Sequence, residues 1–183
     1  MRAGLVLAAA LAAAGAARAD DFDARKAPDI LSVVTTHGAS GELKNDKQGR
    51  PTIEARAGTL YFGVDFSDCN DARTSCDTFM LSGAWNAKDV SLDQVNRWNR
   101  WTAFCPAYLD REGAPNMWYT LAVTSHTSRE EVAADMDRWI DCLQSFDALV
   151  GSPEDFLRRH ETPAPPTPAA PAAPAPPHPP GAH

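Results

Sequence analysis

An unbroken apolar run near the start of the chain limits what the rest can fold into, because it decides the compartment where folding takes place. Residues 5–14 read LVLAAALAAA, after a positively charged start and before the small-residue pattern ARA at 17–19. This arrangement is typical of a cleaved secretory signal. The run is too short for a membrane-spanning helix, which needs about 20 apolar residues. We therefore expect residues 1–19 to be removed on export to the periplasm or the medium, with no integral membrane segment left after cleavage.

The opposite end of the chain has a very different composition. Residues 162–183 contain ten of the fifteen prolines and no charged side chain other than histidine. Proline lacks a backbone donor and fixes φ, so this segment favours polyproline II and cannot build a packed core. We expect a disordered tail, which could be a spacer, a proline-rich ligand for a partner, or a solvated segment without a specific partner.

The two ends leave residues 20–161, a length that suits one domain. The whole chain has a formal net charge of −7, and loss of the two arginines in the signal makes it −9. An acidic domain without a basic stripe argues against binding to nucleic acid. It also argues against binding to an anionic membrane surface.

Hydrophobic periodicity and turn residues predict an α+β domain with the order α-β-β-β-β-α-β-β-α. Helices are predicted at 28–36, from Ser91 and from Ser128 to 150, with a short helical turn at 154–160. Strands are predicted at 41–46, 51–55, 59–66, 78–85, 104–109 and 117–124. Capping boxes mark the starts of the second and third helices. Short connections predict a mainly antiparallel sheet of five to six strands with helices packed against it.

The chain contains four cysteines, an even number that favours pairing in an oxidising compartment. We expect Cys69 to pair with Cys76, because hairpin-like strands would bring the two positions together. We expect Cys105, at the start of a strand, to pair with Cys142 on the flank of the last helix. The alternative for the second pair is two separate buried thiols.

Several sequence marks occur in an order that points to one family. They are GRPTI at 49–53, FGVDFSDCNDARTSC at 62–76, VNRWNR at 95–100, and Trp139 and Phe146 in the final helix. Through these marks, residues 41–151 resemble the YbjN-domain family of bacterial sensory transduction regulators. The resemblance implies a fold like that of type III secretion chaperones and a regulatory or protein-binding role without known catalytic residues. Most such domains are cytoplasmic, whereas this chain carries an export signal.

The residues themselves predict no catalytic, cofactor-binding or metal-binding site. The acidic loop at 65–71 lacks the glycine and the bidentate glutamate of a calcium loop. The spacing of Cys69 and Cys76 matches no standard zinc site. No GxSxG motif is present, although a Ser-His-Asp site can also be assembled from distant residues.

The second helix carries the candidate contacts for a protein partner. Its apolar face is expected to carry Leu92, Val95 and Ala103, together with Asn99. Trp101 falls on the opposite, polar side beside Arg97, and tryptophan and arginine are enriched at binding hot spots. Arg97 and Trp101 are therefore the candidate partner-binding residues, with coverage of Trp101 by a local loop as the alternative. The other tryptophans outside this helix are expected in the core or at its edge: Trp85, Trp118 and Trp139.

These features favour an exported, non-enzymatic binding or regulatory module that acts through protein–protein contacts or in a chaperone-like way. The alternative is a periplasmic enzyme or metal-binding protein whose site is assembled from distant residues. An exposed apolar groove would favour the first class. A buried pocket with several converging polar side chains would favour the second.

The signal pattern generates a direct prediction about the mature chain. Cleavage after the ARA pattern makes Asp20 the first residue of the exported protein. Amino-terminal sequencing of material recovered from outside the cytoplasm should therefore read Asp-Asp-Phe-Asp. Recovery of that material with Met1 intact would contradict the expectation.

Overall fold

The computed structural model describes residues 22–160, so the expected signal and the expected tail lie outside the described residues. The helices in this range are α1 (Ala27–Thr36), α2 (Leu92–Trp101), α3 (Arg129–Gly151) and α4 (Pro153–His160). The strands are β1 (Ala39–Asn45), β2 (Pro51–Ala57), β3 (Leu60–Cys69), β4 (Cys76–Ala84), β5 (Ala107–Leu109) and β6 (Pro115–Ala122). The predicted order of elements is confirmed, and α4 is the short helix expected after α3. None of the helices between residues 22 and 160 has both the length and the apolar character needed to cross a bilayer.

The strands form one six-stranded sheet in the order β1-β2-β3-β4-β6-β5. Every neighbouring pair is antiparallel. The predicted α+β class with a mainly antiparallel sheet is therefore confirmed. β1 and β5 are the two edge strands, and β4 lies between β3 and β6 near the middle of the sheet.

Burial alternates along the inner strands and thereby gives the sheet one covered face. The residues that β2, β3 and β4 bury on this face include Ile53, Ala55, Phe62, Val64, Phe66, Phe79 and Leu81. α1 and α3 supply the facing apolar residues, which include Ile30, Val33, Val34, Val132, Met136, Trp139, Leu143 and Phe146. The rings of Phe62 and Trp139 meet edge to face with their centroids 6.2 Å apart. The core is thus formed between this face of the sheet and the helices.

The apolar face of α2 differs from the one predicted. Leu92 is 62% exposed and Ala103 lies beyond the end of the helix, whereas Val95 and Trp98 are buried. The indole Nε1–H of Trp98 donates a hydrogen bond of 2.8 Å to the carbonyl oxygen of Cys105. Since the helix rotates 100° per residue, anchoring it at Trp98 turns Leu92 away from the core.

Both predicted disulfides are present. Cys69 and Cys76 are directly opposite each other in the β3–β4 pairing, with a Cα–Cα distance of 3.8 Å. Cys105 and Cys142 join the segment after α2 to the middle of α3, with a Cα–Cα distance of 6.3 Å. The first bond closes the end of a hairpin, whereas the second connects two elements that are distant along the chain.

We predict unequal contributions of the two disulfides to stability. Replacing Cys105 and Cys142 by alanine should lower the free energy of unfolding by about 3–4 kcal/mol, because that bond constrains the longer loop of the unfolded chain. Replacing Cys69 and Cys76 by alanine should cost about 2–3 kcal/mol. Urea unfolding of the two double variants measures both values, and a larger loss from the hairpin pair would contradict this ranking.

Candidate partner-binding surface

The second face of the sheet differs from the first because, among residues 22–160, no helix covers it. Side chains that point to this face alternate with the buried ones along β2, β3, β4, β5 and β6. They include three large aromatic side chains: Tyr61 is 72% exposed, Tyr108 48% and Trp118 40%. Several large aromatic side chains exposed side by side form an apolar patch, and such patches are typical of contact surfaces for other molecules.

Strand pairing arranges the outward side chains in rows across this face. One row consists of Glu54, Gly63, Ser82 and Trp118. In the next row, Ala84 is opposite Asn116, which is opposite Tyr108. Continuing the β3–β4 pairing by two residues places Tyr61 opposite Ala84. The small residues Gly63, Ser82 and Ala84 therefore lie between Tyr61 on one side and Tyr108 and Trp118 on the other.

These rows form a groove of about 910 Å³, which we call the aromatic groove. Its floor contains Gly63, Ser82 and Ala84, and its walls contain Tyr61 on one side and Tyr108 and Trp118 on the other. Since neighbouring strands are about 4.8 Å apart, the β3 and β6 walls stand roughly 10 Å from each other across β4. That width suits one extended polypeptide segment.

Glycine at position 63 keeps the floor of the groove low. A Cβ atom at this position would stand 3.1 Å from the Ser82 hydroxyl oxygen on the neighbouring strand. The strand pairing through Gly63 is regular, with Glu54 on one side and Ser82 on the other. The glycine therefore marks a close approach rather than a bulge.

The position of Trp118 corrects the expectation that it belongs to the core or its edge. Its neighbours Met117 and Tyr119 point to the covered side, so the alternation of the strand turns Trp118 outward. The apolar pattern of residues 117–124 shows a strand but does not show which set of side chains faces the core. Tyr61 and Tyr108 were not singled out from the sequence for the same reason.

The structure places both predicted contact residues, Arg97 and Trp101, away from the aromatic groove, where α2 meets α4. The Trp101 ring centroid is 5.6 Å from that of Phe156 and 4.9 Å from that of His160. Arg97 Nη1 is 4.0 Å from a carboxylate oxygen of Glu154. Trp101 is still 45% exposed. A helix, rather than a loop, gives it partial cover.

Asn99 connects α2 to β5 at the edge of the sheet through hydrogen bonds of its side chain. Its side-chain oxygen accepts from the backbone N–H of Ala107 at 2.8 Å, and its amide donates to the Ala107 carbonyl at 2.9 Å. These two bonds occupy the backbone N–H and carbonyl of Ala107 at the outer edge of β5. Tyr108, the next residue of β5, then points into the aromatic groove.

Glu54 is the one carboxylate among the residues that line the groove. Between residues 22 and 160, no three His, Cys, Asp or Glu side chains come close enough to hold a metal ion. No polar or charged residue in that range is buried. Burial raises the pKa of Tyr119, and a 3.0 Å hydrogen bond to Asp135 adds to this effect, but both residues belong to the contact between β6 and α3.

Comparison with known proteins identifies the family. The family model YbjN, described as "Putative bacterial sensory transduction regulator", matches residues 28–151. The chain therefore belongs to the YbjN family. The search of curated proteins gives no significant match.

A comparison with solved structures matches a chain of "Structure of the HopA1-SchA Chaperone-Effector Complex". The two chains are 15% identical, and the match covers 63% of this chain and 89% of the other, with a TM-score of 0.39. At this level the likeness carries no argument about function.

We predict that the aromatic groove contributes little to stability. Tyr61→Ala and Trp118→Ala should each change the free energy of unfolding by less than about 1 kcal/mol, because the exposed rings have few packing partners. Trp98→Phe should cost about 1–3 kcal/mol, since it leaves the Cys105 carbonyl unpaired in the core. Chemical denaturation of the three variants tests the contrast. A loss at Trp118 as large as that at Trp98 would show that its ring is part of the core.

Proposed function

We propose that the protein is an exported, non-enzymatic binding module that holds an extended segment of a protein partner in the aromatic groove. The observation that carries this proposal is the set of three exposed aromatic rings around a floor of small residues on the helix-free face of the sheet. Tyrosine and tryptophan are over-represented among the residues that dominate binding energy at protein interfaces. A regulatory role of this kind is compatible with the description of the family.

The shape of the groove favours recognition by side-chain packing. The backbone groups of β3, β4 and β6 are already paired within the sheet, so a partner above this face cannot add to the strand ladder. A ligand must instead place its own side chains between Tyr61 and the opposite wall. An extended segment with small or ring-shaped apolar side chains fits this requirement better than a bulky helix does.

The charge of the protein restricts the partner further. The chain is acidic overall, and Glu54 lies at the groove beside its floor. An acidic segment would bring like charges together as it loses water, which costs free energy. The proposed partner segment is therefore neutral or basic.

Export is supported by the signal pattern at residues 1–19 and by the two disulfides. Disulfides persist in oxidising compartments and are rare in the cytosol. The partner is therefore proposed to be another exported or surface protein.

Site-specific photocross-linking tests the proposed binding surface. A photoreactive amino acid replaces Tyr61 in the groove, which is 72% exposed, and, as a matched control, Leu92 on α2, which is 62% exposed. After irradiation in the periplasm, mass spectrometry identifies the attached protein. Cross-linking from position 61 and not from position 92 is expected.

Binding to the purified, identified partner then gives the quantitative test. Tyr61→Ala combined with Trp118→Ala should weaken binding by about 10-fold or more, because groove aromatics act as hot spots. Leu92→Ala should leave the affinity within about 2-fold of the unchanged protein. Calorimetry measures both, and equal affinity of all three proteins would rule out the groove as the binding surface.

A further inference from the structure

We propose that the chain's own proline-rich segment, residues 174–180, occupies the aromatic groove when no partner is bound. This inference rests on the proposed function, since it takes the same groove as the binding surface and names the ligand chemistry that the groove accepts. A partner would then have to displace this segment. The occupied groove would keep three apolar rings out of water until the partner arrives.

The chemistry of the groove matches that of a proline-rich segment. Polyproline II helices bind in grooves lined by aromatic residues, where proline rings pack between and against the aromatic faces. Tyr61, Tyr108 and Trp118 provide these faces, and the small side chains of the floor leave room between them. Proline also fixes φ in advance, which reduces the conformational entropy lost on binding.

Residues 174–180 are the densest proline cluster in the chain, with the sequence PAPPHPP. This segment has no carboxylate, so it avoids repulsion by the acidic domain. It has no lysine or arginine either, so no fixed charge loses its hydration when the segment enters an apolar groove. The only side chain in it that can titrate is His178.

The chain leaves the described domain near the β5 edge of the sheet. α4 ends at His160, whose ring lies 4.9 Å from that of Trp101 at the end of α2. Two residues earlier in α2, Asn99 is bonded to Ala107 of β5. The residue after Ala107 is Tyr108, which is already part of the groove wall. The path from His160 to the groove therefore passes around the β5 edge.

The length of chain beyond His160 is sufficient for this path. Residue 174 follows His160 by fourteen residues, which span about 43 Å as polyproline II at ~3.1 Å per residue. A domain of about 140 residues is roughly 35–40 Å across. The nearer proline cluster, 163–168, extends only to about 25 Å beyond His160 in the same conformation, which is less than the width of the domain.

Attachment to the same chain allows even a weak contact to fill the groove. A connection within the same chain that can span the distance gives an effective concentration of the order of millimolar. A separate partner must compete with that internal ligand. The apparent affinity of the partner is then its intrinsic affinity multiplied by the fraction of molecules whose groove is open. The tail would thereby set a threshold for partner binding.

Nuclear magnetic resonance of the full mature chain tests this inference. The indole N–H peak of Trp118 reports on the groove and is assigned with Trp118→Phe. Changing the five prolines within 174–180 to serine should shift this peak and leave the Trp101 indole peak in place. Changing the four prolines within 163–168 to serine is the matched control and should leave both peaks unchanged.

A peptide added in trans completes the experiment. A synthetic peptide of residues 170–183, added to the 174–180 serine variant, should return the Trp118 peak to its original position. Introducing Tyr61→Ala should reduce the affinity of that peptide by about 10-fold or more. An unchanged Trp118 peak in the 174–180 variant would overturn the proposal. So would a shift that depends on protein concentration, since the segment would then lie in the groove of a second copy.

The two proposals can fail separately. If Trp118 does not sense residues 174–180 while position 61 still cross-links a partner, this inference fails and the proposed function remains. If the groove variants bind the identified partner normally, the proposed function fails, whatever the peptide shows.

Discussion

Burial of Trp98 is the interaction on which the arrangement of the helices depends. Its ring contacts Phe146 of α3 at a centroid distance of 5.0 Å and Phe156 of α4 at 6.0 Å. Its indole nitrogen binds the carbonyl of Cys105, whose sulfur is bonded to Cys142 of α3. One side chain therefore fixes α2 against α3, α4 and the disulfide-linked segment. Because α2 is held there, Asn99 reaches β5, and β5 in turn places Tyr108 in the groove wall.

The concentration of helices on one side of the sheet explains why the other side is available for binding. The large buried rings, including Phe62, Phe79, Trp98 and Trp139, all belong to the covered side. The helix-free face is formed by the same strands, of which β2, β3, β4 and β6 are paired on both sides within the sheet. Substitutions on this face can therefore alter contacts with another molecule while changing the stability of the fold little. Tyr61 and Trp118 occupy such positions.

Sequence reasoning succeeded where local rules decide the structure. The capping boxes at Ser91 and Ser128 depend on residues three apart, and the order of elements depends on periodicity and turns. The cysteine pairing followed from the hairpin and the flank of a helix. The groove could not be predicted in this way, because it depends on strand register. A shift of one residue would have turned Trp118 to the core, and short apolar strands do not fix that choice. Coverage of Trp101 was predicted only from a local loop, because the helix that covers it, α4, lies about fifty-five residues further along the chain.

The hydrogen bonds between Asn99 and Ala107 also limit how copies of this protein can assemble. A sheet grows from molecule to molecule only if each molecule offers two free edges, one to receive a strand and one to extend the next copy. Here the backbone N–H and carbonyl of Ala107 in β5 are bonded to a side chain of the same molecule, and β1 is the other edge strand. Pairing of β1 with β1 is a two-fold contact that closes on itself. Growth through the β5 edge would require the Asn99–Ala107 hydrogen bonds to break, whereas pairing through β1 gives a closed dimer.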